Sequence, residues 1–119
     1  MSELQSKNFG SPDETRPFTG HGHVDLVNLD SGPVGLGTFE AGWRWSTDVK
    51  PLAGTDSCQV EHLGYVVSGR MKVVMDDGRT ADVGPGDAIH IPPGHDAWTV
   101  GDEACVVIDF AGLKGYAVS

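Results

Sequence analysis

Basic residues are scarce in this chain. Eight Lys and Arg stand against seventeen Asp and Glu, leaving a net charge of −9 over 119 residues. A nucleic-acid backbone is neutralised by clustered Lys and Arg; here the basic residues are scattered, so no nucleic-acid partner is expected. Cysteine is sparse as well. Cys58 and Cys105 are the only two, too few for a disulfide scaffold and without the CxxC pair of a zinc finger or a thioredoxin-like centre. Cys105 sits in the apolar run Ala104–Ile108 and reads as a packed thiol. No apolar run approaches the roughly 18 residues of a membrane span, and the opening MSELQSKNFGSPDETRPF lacks the apolar core of a secretory signal. The expectation is a soluble cytoplasmic protein with no membrane partner. Sustained helical periodicity is also missing.

Glycine (17) and proline (7) are plentiful, and they fall at turns between apolar runs. That is punctuation of a folded chain, not the composition of a disordered one. The stretch GRMKVVMDDGRTADVGPGDAIHIPPGH is the clearest case: Asp77-Gly78, Gly84-Pro85-Gly86-Asp87 and Pro92-Pro93-Gly94 separate short strands. Strands spaced by roughly ten residues indicate an antiparallel sandwich or barrel. We expect strands near 22–29, 35–40, 43–46, 58–67, 71–75, 79–83, 88–91, 97–100 and 104–110, with a short closing turn at Leu113–Tyr116. Residues 1–20 are poor in apolar side chains and read as an N-terminal arm, a segment that could lie across a second subunit. Residues 21–119 form the single all-β domain. The long interruption around Val49–Thr55 marks a loop of the kind that carries function.

Two spacings carry a resemblance. Gly86, Pro92 and Gly94 fit the frame G-x5-P-x-G-x2-H, the second motif of the cupin superfamily. The block from Gly42 to Phe110, including Trp43-x-Trp45, Thr55-Asp56-Ser57-Cys58-Gln59, His62-x-Gly64-Tyr65-Val66 and Pro92-Pro93-Gly94-His95-Asp96-Ala97-Trp98, is similar to small single-domain bacterial cupins. The resemblance implies a jelly-roll β-barrel and a homodimer. It also implies a metal site inside the barrel, whose liganding positions are three histidines and a glutamate. Counted from Gly69 through the first motif, those positions fall at Asp56, Cys58 and His62; the second motif places the last at Ala97. Every liganding position is therefore rewritten in this chain.

Strand parity offers a substitute set. Alternate residues share a face, so Asp56, Cys58 and His62 look inward together, and His95 has the parity of Ala97. Asp56, Cys58, His62 and His95 are the candidate metal ligands. Thiolate and imidazole favour Zn²⁺, with Fe²⁺, Cu, Ni and Mn²⁺ compatible. His62 and His95 are equally candidates for acid–base work near neutral pH. Trp43, Trp45, Gln59 and Trp98 are the candidate walls of a small-molecule pocket. The pair His21-x-His23 has ligand spacing but lies upstream of the loop. His90 has the parity of the outer face. Three readings stay open: a metal-dependent enzyme acting on a small organic molecule, a metal-free acid–base isomerase or dehydratase, and a non-catalytic ligand-binding or sensory barrel.

Overall fold

The computed structural model describes residues 3–111, so the turn expected at 113–116 lies outside the described residues. The elements run β1 (Glu14–Pro17), β2 (Gly22–Leu29), β3 (Gly32–Phe39), α1 (Trp45–Asp48), α2 (Lys50–Ala53), β4 (His62–Ser68), β5 (Arg70–Met75), β6 (Thr80–Val83), β7 (Ala88–Ile91), β8 (His95–Val100) and β9 (Cys105–Ala111). All paired strands are antiparallel. They form a six-stranded sheet, β1-β2-β3-β9-β4-β7, facing a three-stranded sheet, β6-β5-β8.

Alternation explains the layers. Along β4, Gly64 and Val66 are buried while Leu63, Tyr65 and Val67 are exposed; along β8, His95, Ala97 and Thr99 are buried. Inward positions of the two sheets meet in a core centred on Phe39, Trp43, Val66, Met71 and Val107. Phe18 stacks on Phe39 at 5.3 Å between ring centroids, and Phe39 meets Trp43 edge-on at 4.6 Å. The chain passes from the large sheet to the small one at Gly69, whose φ of 74° suits glycine. A Cβ there would run into the Ala104 carbonyl.

Four stretches differ from the sequence expectation. The strand expected at 43–46 is replaced by the helical turn α1. The Arg44 N–H donates to the Asp48 carboxylate at 2.9 Å and the Asp48 N–H to the Arg44 carbonyl at 2.8 Å, which bends the chain at Trp45. Asp48 is buried, and its carboxylate also meets His21 Nδ1 at 3.1 Å. The expected loop at 49–55 contains α2, with Pro51 in its first turn and Gly54 ending it at φ 74°. Regular pairing in the strand expected at 58–67 starts only at His62, because Cys58 pairs instead with His95 as a single bridge. Within the stretch expected as an arm, β1 pairs with β2 of the same chain, Glu14 opposite Leu26, and Phe18 enters the core. Backbone pairing needs no apolar side chains, which is why composition does not show it.

Candidate functional site

The small sheet would end at β8, but two bridges cover that edge: Arg44 with Trp98 and Cys58 with His95. The second builds the site. The Cys58 N–H donates to the His95 carbonyl at 2.7 Å, and the Gly94 N–H donates to the Cys58 carbonyl at 2.7 Å. A cysteine and a histidine distant in sequence are thereby locked side by side. His62, the first residue of β4, brings its ring to the same place, 5.5 Å from that of His95 between centroids. One donor atom from each of Cys58, His62 and His95 lies within 4.8 Å of the others, and all three side chains are buried.

Both imidazoles are held by one nitrogen and turned inward by the other. His62 Nδ1 lies 2.6 Å from Asp109 Oδ2, and its Nε2 lies 3.8 Å from Cys58 Sγ. His95 Nδ1 lies 2.8 Å from the Pro92 carbonyl. A carbonyl only accepts, so this Nδ1 carries the proton and leaves Nε2 as the nitrogen for the cluster. Burial pushes the Cys58 thiol up, but the adjoining His62 and His95 rings outweigh it and bring it down to about 6. Burial likewise pushes His62 down, and Asp109 and Cys58 together raise it to about 9. Both shifts describe one event: the pair is stable as thiolate and imidazolium, with Asp109 behind the imidazolium.

The donor set fits a divalent ion. A tetrahedral zinc, with Zn–S near 2.3 Å and Zn–N near 2.0–2.1 Å, holds its sulfur and nitrogen donors about 3.6 Å apart. The 3.8 Å between Cys58 Sγ and His62 Nε2 is close to that. Metal-bound histidines ordinarily donate their other N–H to a carboxylate or a backbone carbonyl. Here His62 has the carboxylate of Asp109 and His95 the carbonyl of Pro92.

Beside the cluster lies a cavity of about 50 Å³. His62, His95 and Asp109 border it, and Val24, Phe39, Met71, Ile89, Trp43 and Trp45 supply much of its wall. The two tryptophans are 2 % and 1 % exposed. Neither indole N–H has an acceptor among the described residues. A donor buried in that state costs about 1–3 kcal/mol.

Not every candidate from the sequence comes to this site. Asp56 is fully exposed and faces Lys50 Nζ at 3.8 Å, because the chain leaves regular strand geometry before Cys58 and parity no longer governs it. Gln59 is exposed, its amide donating to Ser57 Oγ at 3.0 Å. Trp98 has the opposite parity to His95 and lies outside the cavity, under the Arg44 guanidinium 4.5 Å from its ring centre. His21 turns to Asp48, His23 faces Asp25 at 3.2 Å, and His90 pairs outward with Glu61 at 2.9 Å. Asp109 was missed. Its signal was there, a carboxylate inside the apolar run CVVIDF at the parity of Cys105 and Val107.

Residues 55–111 match the family model of the Cupin domain. An RmlC-like cupin from Shewanella frigidimarina superposes with a TM-score of 0.60 at 19% identity, covering 96% of this chain and 96% of that one. Residues 55–111 carry a cupin domain, and the chain has the all-β cupin fold. The polyketide cyclase RemF from Streptomyces resistomycificus superposes on this chain at a TM-score of 0.62 and 21% identity, covering 90% of this chain and 78% of that one. A protein of unknown function from Rhizobium leguminosarum gives 0.61 and 18%, covering 90% and 94%. Identities this low carry the fold and nothing about activity. Among curated proteins, none matches the chain. Of the four positions where cupins carry ligands, this one gathers Cys58 and His62, exposes Asp56 and places Ala97 on the cavity wall. His95, two residues before Ala97 on the same face of β8, supplies the third donor.

Proposed function

We propose that this cupin holds a divalent metal ion, zinc by preference, through Cys58, His62 and His95, and acts on a small organic molecule in the adjoining cavity. The observation that carries the reading is the pair of anchored imidazoles. Asp109 fixes one ring and the Pro92 carbonyl fixes the other, and both then converge on a thiol poised to ionise. Soft sulfur with two imidazoles is a zinc donor set, and three protein ligands leave room for a further one, as in catalytic zinc sites. A bound ion supplies Lewis acidity to an oxygen that approaches it. The chain's own residues do the rest: Asp109 holds the Nδ1 proton of His62, the Cys58–His95 bridge keeps thiol and ring together, and the apolar cavity wall excludes bulk water.

A second reading has its own observation. Asp109, His62 and Cys58 form a line at 2.6 and 3.8 Å, an arrangement that moves a proton between sulfur and imidazole without a metal. It favours metal-free proton transfer, as in an isomerisation or dehydration. Elemental analysis of tag-free protein, followed by zinc and cobalt titration, separates the two. We expect near-stoichiometric uptake, with a sulfur-to-cobalt charge-transfer band that disappears in Cys58→Ser. Protein that is empty as purified and refuses both ions overturns the metal reading and leaves the proton-transfer one standing.

A further inference from the structure

The cavity beside the cluster needs a way in from solvent. Of the residues that border it, all but His62 and Ile89 are buried. His62 is held by Asp109 at 2.6 Å, which leaves Ile89 as the wall residue that can give way. Ile89 also borders a second hollow, a groove of about 300 Å³ between β6 and β7. We propose that small molecules reach the cluster through this groove and that the Ile89 side chain sets the size of what passes. The proposal rests on the functional reading above, in which a small organic molecule acts in the cavity.

The groove exists because the barrel is not closed on that side. β7 ends the large sheet and β6 ends the small one, and among the described residues no strand pairing joins them. The β8 edge, by contrast, is covered by the Arg44–Trp98 and Cys58–His95 bridges. Side-chain alternation shows the same gap. Ala81 lies opposite the buried Val73 and Val83 opposite the buried Met71, so both take the inward face of β6. Val83 is buried, yet Ala81 is exposed. On β7 the inward residues Ile89 and Ile91 pack against the core but stay half-buried. Inward positions that stay in contact with water mark where the two sheets fail to meet. Ile89 stands where groove and cavity adjoin. Its partner across the ladder is Gly64, so no side chain on β4 props it from that side. Val73 and Val83 line the groove and Met71 the cavity. Arg79 and His90 also line the groove, exposed and engaged by Asp77 and Glu61. A passage with aliphatic walls admits narrow, weakly hydrated molecules and holds back bulky or charged ones, which lose more solvation on entry.

Cys58, 3.8 Å from His62 Nε2, reports on passage. Chelator-stripped protein is treated with methyl methanethiosulfonate or its S-benzyl counterpart. Each transfers its thioalkyl group to a thiolate, forming a mixed disulfide and releasing methanesulfinate. Labelling of Cys58 is timed by peptide mass, which separates it from Cys105. We expect Ile89→Ala to raise the benzyl-to-methyl rate ratio about tenfold or more over the unaltered protein, the scale on which an apolar wall sorts molecules by size. Taking the ratio cancels any change in the thiol itself. Ala81→Phe, at an exposed position on β6, fills the groove and should slow both reagents severalfold. An unchanged ratio in Ile89→Ala, or unchanged rates in Ala81→Phe, overturns the proposal, because the reagents then enter elsewhere. A Cys58 that stays unlabelled in both the unaltered protein and Ile89→Ala overturns it too. Ala81→Phe decides alone if Ile89→Ala fails to fold. Zinc and cobalt titration of the same unaltered protein keeps the two readings apart. Labelling that follows the groove in protein that refuses both ions sinks only the metal reading, and zinc uptake with labelling indifferent to both variants sinks only this one.

Discussion

Cys58 and Cys105 are the same side chain buried to the same depth, 2 % and 0 % exposed, in two regions of one barrel. At the cluster, two imidazoles overcome burial and bring the Cys58 thiol down to about 6. In the core between the sheets, burial and the nearby Glu103 carboxylate push Cys105 up to about 11. Burial penalises a thiolate in both places, so depth alone predicts nothing about reactivity. The partners decide, and only Cys58 has them.

The sharpest way to break this contrast is to exchange the thiols for hydroxyls one at a time. Cys58→Ser or His62→Ala should lower zinc affinity at least 100-fold, whereas Cys105→Ser should leave it unchanged, as followed by competition with a chromophoric chelator. Equal losses from the two cysteine variants would show that the difference in environment has no bearing on metal binding. Asp109→Asn touches neither cysteine and removes only the carboxylate behind His62. We expect zinc affinity to fall about 10- to 100-fold, the range for a lost outer partner of a metal-bound histidine.

The pH response of metal-free protein sharpens the same comparison. Cys58 lies below its ordinary value of 9.0, so its contribution to stability is full above that value and is lost as pH falls through about 6. His62 is raised from 6.5, so its contribution is full below 6.5 and is lost as pH rises through about 9. Thiolate and imidazolium therefore coexist between about pH 6 and 9. Thiolate absorbance in the ultraviolet should rise with a midpoint near 6 in Cys105→Ser and near 11 in Cys58→Ser. A Cys58 midpoint near the ordinary thiol value would mean that the histidines do not act on it. The smallest effects belong to the core thiol and the loop. Cys105→Ser should cost about 1–3 kcal/mol in urea denaturation, the penalty for a hydroxyl in an apolar site. Asp56→Asn should change neither stability nor zinc uptake, because its side chain is fully exposed.

Much of this was written in the sequence by local chemistry. The Gly, Pro and Asp turns placed the strands from β4 to β9 because turn geometry depends on residues adjacent in the chain. Period-two alternation turned His62 and His95 inward because a strand's faces are set by its own backbone. That reasoning stopped where the backbone stopped being a strand: Trp45 begins a helical turn, and Asp56 leaves the face it was assigned. The first outcome depends on the Arg44 N–H bond to the Asp48 carboxylate four residues on, which strand parity does not report, and the second on the Cys58–His95 bridge between residues that the chain keeps apart.

Residues read along the chain specify an all-β cupin barrel and an interior assigned to Asp56, Cys58, His62 and His95, of which Asp56 lies outside. Closure of the two sheets is what sets Asp109 behind His62, gives His95 the place that Ala97 leaves without a donor, and buries two indole N–H groups without an acceptor among the described residues. The reason is physical: turns and strand faces are local properties, while hydrogen bonds across β4, β8 and β9 exist only once the sheets have closed on each other.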